Sequence, residues 1–151
     1  MRGQSQPGLT VSFKRMHPEV AIPEYAHDGD AGCDLRSMCD VELRPGERAL
    51  VPTGIAMSIP DGYAGFVQPR SGLAAKHGIS IVNTPGLIDS HYRGEIKVIL
   101  INTDAEASFE VKRGDKVCQL VFQKVEQARF VEVDELDETV RGAGGFGSTG
   151  V

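Results

Sequence analysis

The chain has 151 residues, 40% of them hydrophobic and none of them tryptophan, with a formal net charge of −5. That length suits one domain with a core of its own, and the scattered acidic residues argue against a nonspecific nucleic-acid binder, which carries a basic stripe, while leaving room for a small anion held by local donors. No apolar run is long enough to span a bilayer and the polar opening MRGQSQPGL carries no signal-like pattern, so the chain is expected to be cytoplasmic.

Short runs rich in Val, Ile and Phe follow one another, each closed by Gly or Pro. In order they are TVSFKR (10–15), RALVPTG (48–54), IAMSIP (55–60), GYAGFVQP (62–69), ISIV (79–82), EIKVILIN (95–102), SFEV (108–111), KVCQLVFQKV (116–125) and ARFVEV (128–133). Strand-length segments at this spacing, with turn signals such as RPGE (44–47) and PDG (60–62), predict an all-β barrel or sandwich. Only SGLAAKHG (71–78) reads as a helix, with a serine start and a glycine stop. EIKVILIN and KVCQLVFQKV alternate poorly, which predicts burial on two faces and hints at cover from another subunit. One domain is expected over residues 1–140, with a flexible strap over 141–151 that comes free from about Thr139.

Cys33, Cys39 and Cys118 lack C-x-x-C pairing and read as neutral thiols in a reducing compartment. His17, His27, His77 and His91 stand at unrelated spacings, from which no zinc site can be built.

Three turns hold polar residues that their backbone does not require. In GDAGCDLRS (29–37), the D-x-[DN]-x-[DN]-G spacing of a calcium loop is missing, so Asp28 and Asp30 read as solvated turn residues and Asp34 as the one of interest. In QPRSGLAAK (68–76), Arg70 and Ser71 at a helix start make an anion site, or Ser71 simply caps the helix. In NTPGLIDSHYRGE (83–95), Pro85-Gly86 turns the chain back as a hairpin presenting Asn83, Asp89, Tyr92 and Arg93, with Asp89 placed to orient and deprotonate a water. The terminal RGAGGFGSTG (141–150) matches G-x-G-x-x-G at Gly142, Gly144 and Gly147, but without the strand, helix and distal acid of a dinucleotide site. By itself it reads either as a frayed terminus or as a strap that orders over an anion.

Taken together, AGCDLRS (31–37), PRSGLA (69–74), NTPGLIDSHYRGEI (83–96), GDKVCQLVF (114–122) and RGAGGFGSTG (141–150) resemble, in order, the five motifs of the homotrimeric dUTPases. The resemblance implies a distorted, jelly-roll-like β-barrel of the β-clip type with at most one short helix. It also implies hydrolysis of dUTP to dUMP and pyrophosphate with Mg²⁺, in active sites shared between subunits of a homotrimer. By match of position, Asp89 activates the water that attacks the α-phosphorus. Asn83, Gly86, Leu87, Ile88 and Lys97 belong to the hairpin that reads uracil, and Tyr92 packs under the deoxyribose. Arg70, Ser71, Gly72 and Gln119 match phosphate binders, and Asp34 helps hold Mg²⁺ through water. Arg141, Phe146, Gly147, Ser148 and Thr149 match the strap, which clamps phosphate and covers the base. His91, where the family more often has a small or acidic residue, and Thr84, in place of a commoner serine, depart from the pattern. Related alternatives are a dCTP deaminase and a regulatory protein that senses dUTP.

Overall fold

The computed structural model describes residues 8–150; most of the opening segment read above as free of a signal, residues 1–7, lies outside them. Its elements are β1 (Ser12–Arg15), β2 (Gly32–Arg36), β3 (Val41–Leu43), β4 (Arg48–Ser58), β5 (Tyr63–Gln68), α1 (Ser71–His77), β6 (Ile79–Ile81), β7 (Gly86–Ile88), β8 (Glu95–Asn102), β9 (Phe109–Val111) and β10 (Lys116–Lys124). Two four-stranded sheets, ordered β1-β4-β8-β6 and β2-β10-β5-β7, are accompanied by a two-stranded sheet, β3-β9. The core lies between them, with Val51, Ile55, Val98 and Leu100 from the first sheet against Cys33, Leu35, Val67 and Leu120 from the second. This is the jelly-roll-like all-β fold expected, with sheets that stay open.

The runs 48–54 and 55–60 form one strand rather than two. Gly54 sits inside β4 at φ +71, and the pairing with β8 shifts register between Pro52 and Ala56. The strand bends there instead of ending, and buried Thr53 repairs the interrupted ladder by donating its hydroxyl to the Ile96 carbonyl at 2.6 Å. A Cβ on Gly54 would lie 2.6 Å from Val20 Cγ2. Gly54→Ala is therefore expected to cost about 2–4 kcal/mol, left-handed strain plus overpacking, read as a lowered midpoint in urea; an unchanged midpoint would refute this account of the bend.

Other expectations are corrected. β8 alternates after all: Ile96, Val98, Leu100 and Asn102 point inward and are buried, while Lys97 is exposed and Ile99 and Ile101 are only half-buried. The apolar outer residues disguise the period in the sequence. ARFVEV (128–133) is not a strand. The β5–β10 ladder runs out at Tyr63 and Lys124, and the chain beyond pairs with no strand among the described residues; Phe130 and Leu136 stand 94% and 84% exposed. The three-residue strands β3 and β7 are too short for periodicity to find.

Burial pushes the Cys118 thiol up to about 12 and raises that of Cys33, so both are neutral, as read from the sequence. Among the described residues no helix is long and apolar enough to cross a membrane.

Candidate active site

Asp34 on β2, Gln119 on β10 and Gln68 on β5 lie side by side, because Gln119 is paired with both of the others. The chain then leaves β5 through Pro69 into Arg70 and α1. The Asp34 side chain is only 10% exposed, with Arg70 Nε 3.6 Å from Oδ1 and Lys116 Nζ 3.2 Å from Oδ2. Its Oδ1 is buried without a hydrogen-bond partner. Arg70 also donates to the Lys116 carbonyl at 3.4 Å.

Ser71 is not a cap. The N-cap position of α1 belongs to Arg70, and no side chain caps the helix; the exposed Ser71 and Gly72 are thus left for other work. The predicted helix is otherwise met, ending on Gly78 in the left-handed conformation at φ 66. Asp30 accepts from the His27 amide at 2.8 Å as a turn residue.

A second cluster forms around the loop from β6 to β8. These two strands pair antiparallel, Ile79 opposite Asn102, so the segment between them folds back as predicted. β7 within it crosses to the other sheet and pairs with β5 as an edge strand. An edge leaves backbone donors and acceptors without a ladder, and here they border a cavity of about 440 Å³ lined by Asn83, Gly86, Leu87, Ile88, Asp89, Tyr92 and Lys97, among others. The Thr84–Pro85 peptide is cis. Tyr92 donates its hydroxyl to the Glu95 carbonyl at 2.9 Å, and its ring lies so close over Gly94 that a Cβ there would collide with it. Asp89 is exposed at the cavity margin. Beside it, Asp61 binds His91 Nε2 at 2.8 Å and accepts from Ser90 Oγ at 3.3 Å. Glu95 borders the same cavity with a buried Oε2 that lacks a partner.

Within one chain the two clusters stay apart. Gly86 is paired with Val67 and Ile88 with Gly65, so Asp89 continues toward Ala64 while Arg70 leaves the opposite end of β5. Six residues at about 3.3 Å each separate them by roughly 20 Å. Among the described residues the strap joins neither: Arg141 Nε donates to the Gly144 carbonyl, at 2.9 Å, and Phe146 is fully exposed. Gly147, Ser148 and Thr149 lie in turns, all exposed.

Sequence reading passed over Asp61, Glu95 and Lys116. Asp61 sits inside a turn signal, Glu95 opens a strand pattern, and Lys116 stands in a motif whose matched phosphate binder is Gln119.

The dUTPase family model matches residues 18–150. The deoxyuridine 5'-triphosphate nucleotidohydrolase of Thermobifida fusca is 60% identical over 142 residues, covering 94% of this chain and 79% of that protein. The enzyme of the same name from Streptomyces avermitilis is 54% identical, covering 94% and 81%. Among solved structures, a point mutant of the Staphylococcus bacteriophage 80alpha dUTPase with dUpNHpp superposes at a TM-score of 0.87 with 29% identity, covering 94% of this chain and 99% of that one. A mutant dUTPase from the S. aureus phage phi11, described with a structural Mg(II) ion, superposes at 0.76 with 29% identity, over 83% and 97%.

Proposed function

The chain belongs to the dUTPase family and is a hydrolase of nucleotide metabolism, and on that premise we propose that it hydrolyses dUTP to dUMP and pyrophosphate, with Asp89 as the general base. The observation that carries this reading is the exposed carboxylate of Asp89 at the margin of a cavity bordered by an unladdered strand edge. Fixed amides along β7, with Asn83 beside Gly86, suit the donor and acceptor pattern of uracil and leave cytosine's reversed edge unmatched. Lys97 closes the same cavity from β8. Tyr92, its hydroxyl bonded to the Glu95 carbonyl, would pack under the deoxyribose, where a ribose 2′-hydroxyl would clash.

Asp89 takes a proton from a bound water whose oxygen attacks the α-phosphorus. The bond from that phosphorus to the bridging oxygen breaks, and pyrophosphate leaves with the electron pair. Arg70, Ser71, Gly72 and Gln119 hold the phosphates, with Arg70 supplying a planar cation and Ser71 a hydroxyl free of capping. The residues present fit Mg²⁺. Asp34 Oδ1 is a buried acceptor without a hydrogen-bond partner among the described residues, which suits a water of an ion held mainly by substrate phosphates. Bound there, Mg²⁺ would neutralise charge developing on the triphosphate.

The roughly 20 Å between Asp89 and Arg70 within one chain, with an unpacked strap, supports the homotrimer reading. One subunit would supply Asp34, Arg70 and Gln119, a second Asp89 and its cavity, and a third the strap from Arg141 to Thr149. The half-exposed apolar outer face of β8 is in keeping with such assembly. In the cell, the reaction would keep uracil out of DNA and supply dUMP for thymidylate synthesis in the cytoplasm.

The test is pyrophosphate release from dUTP, dCTP, dTTP and UTP at equal concentration with Mg²⁺. Release from dUTP alone is expected. Ammonia from dCTP would replace this reading with a deaminase, and tight dUTP binding without turnover would replace it with a sensor.

A further inference from the structure

Asp34 and Arg70 belong to the phosphate side of the site, but the residue that holds both of them is Lys116. Its ammonium is 3.2 Å from Asp34 Oδ2, and its backbone carbonyl accepts from Arg70 Nη1 at 3.4 Å. The Lys116 side chain is 32% exposed. Its partner carboxylate is only 10% exposed, so the pair is partly withdrawn from solvent screening.

Lys116 reaches this position only because β10 carries a bulge. Gln119 is paired with Asp34 and therefore shares its face of the sheet. With unbroken alternation, Lys116, three residues earlier, would point to the opposite face, into the core beside Cys118. Between Lys116 and Cys118 the register shifts, and Lys116 is paired with Arg36, which shares the face of Asp34. Val117 and Cys118 are consequently both buried in succession. An extra residue in a strand bends it and re-aims the next side chain, and here the side chain re-aimed is a cation set beside a nearly buried carboxylate.

The electrostatic demand on that carboxylate rises when substrate arrives. In the free chain two cations flank Asp34. A triphosphate calls Arg70 away to its own oxygens, and the Mg²⁺ that would accompany it is held by those phosphates and would reach Asp34 only through water, so no direct counter-ion replaces the guanidinium. Leaving a buried carboxylate without a counter-ion beside a polyanion is costly. Of the other cations nearby, Arg36 is already bonded to the Gly114 carbonyl at 2.8 Å.

We propose that Lys116 is a positioning residue for the triphosphate: it remains the counter-ion of Asp34 and so frees Arg70 to bind phosphate. This rests on the dUTP reading above.

The experiment is titration of wild type, Lys116→Met and Lys116→Arg with nonhydrolysable α,β-imido-dUTP in the presence of Mg²⁺, with deoxyuridine as the ligand that lacks phosphates. Lys116→Met is expected to weaken the analogue roughly tenfold or more, keep deoxyuridine affinity, and raise KM with a smaller effect on kcat. Lys116→Arg, which keeps the cation, should recover most of the loss. In an Asp34→Asn background, where the buried charge is gone, Lys116→Met should cost far less. Equal analogue affinity in wild type and Lys116→Met, an arginine variant as weak as the methionine one, or a parallel loss of deoxyuridine affinity would each overturn the role of Lys116. If Lys116→Met does not fold, wild type against Lys116→Gln decides on the same terms. Wild type that fails to bind the analogue would overturn the dUTP reading itself, and the role of Lys116 with it.

Discussion

Asp89→Asn is expected to lower kcat for pyrophosphate release from dUTP by about 10²–10⁴-fold while leaving affinity for α,β-imido-dUTP within a few fold of wild type. The amide keeps the size of the carboxylate and can still accept from water, but it cannot take a proton at neutral pH. Asp89 is exposed at the cavity margin and makes no hydrogen bond through its carboxylate among the described residues, so its replacement leaves no buried group unsatisfied. Stability should therefore be unchanged, and an equal fall in kcat and kcat/KM would report an interaction made only in the transition state. Loss of analogue binding together with turnover would instead make Asp89 a structural support of the loop. The Asp61 contacts to Ser90 and His91 then become the framework to examine.

Ending the chain after Thr139 is expected to leave the melting temperature within about 2 °C of wild type, because surface changes of this kind stay within about 0.5 kcal/mol, and to lower kcat/KM by about 10²-fold. From residue 140 to residue 150 every position is exposed, and the hydrogen bonds of the segment are local, as from Gly142 N–H to the Thr139 carbonyl at 3.1 Å. Such a segment contributes little to the core. What it offers is a run of turns with positive φ at Gly142 and Gly147, where the backbone can approach phosphate closely, and an unpacked phenyl ring at Phe146 that a base can stack against. A truncated protein that melts early would show the strap to be part of the fold. A truncated protein of full activity would return it to the reading of a frayed terminus.

Much of the site was legible because its chemistry is local. Asn83, Asp89 and Tyr92 fall within one loop, and five motifs in a fixed order are far more specific than any one of them. The parts that escaped depend on long-range pairing. Ser71 looked like a cap, since a serine before an apolar turn is the usual signal, but Ser71 is the first helical residue and the cap position falls one residue earlier, on Arg70. ARFVEV has strand composition, and composition cannot tell that the ladder of β10 with β5 has already ended. Lys116 was invisible for a related reason: its direction is set by a bulge that exists only in the pairing of β10 with β2.

By itself, then, the amino-acid order determined the family, the all-β class and the one short helix, and it singled out the residues proposed for the site, because short apolar runs, turn residues and motif spacing are properties of neighbours along the chain. The tertiary structure decided which of those residues meet. Register between β5 and β7 sends Asp89 and Arg70 to opposite ends of one sheet, and a bulge turns Lys116 toward Asp34. A strand's side chains change face with every residue, so one shifted pair far away in sequence redirects a charge that no local pattern foretells.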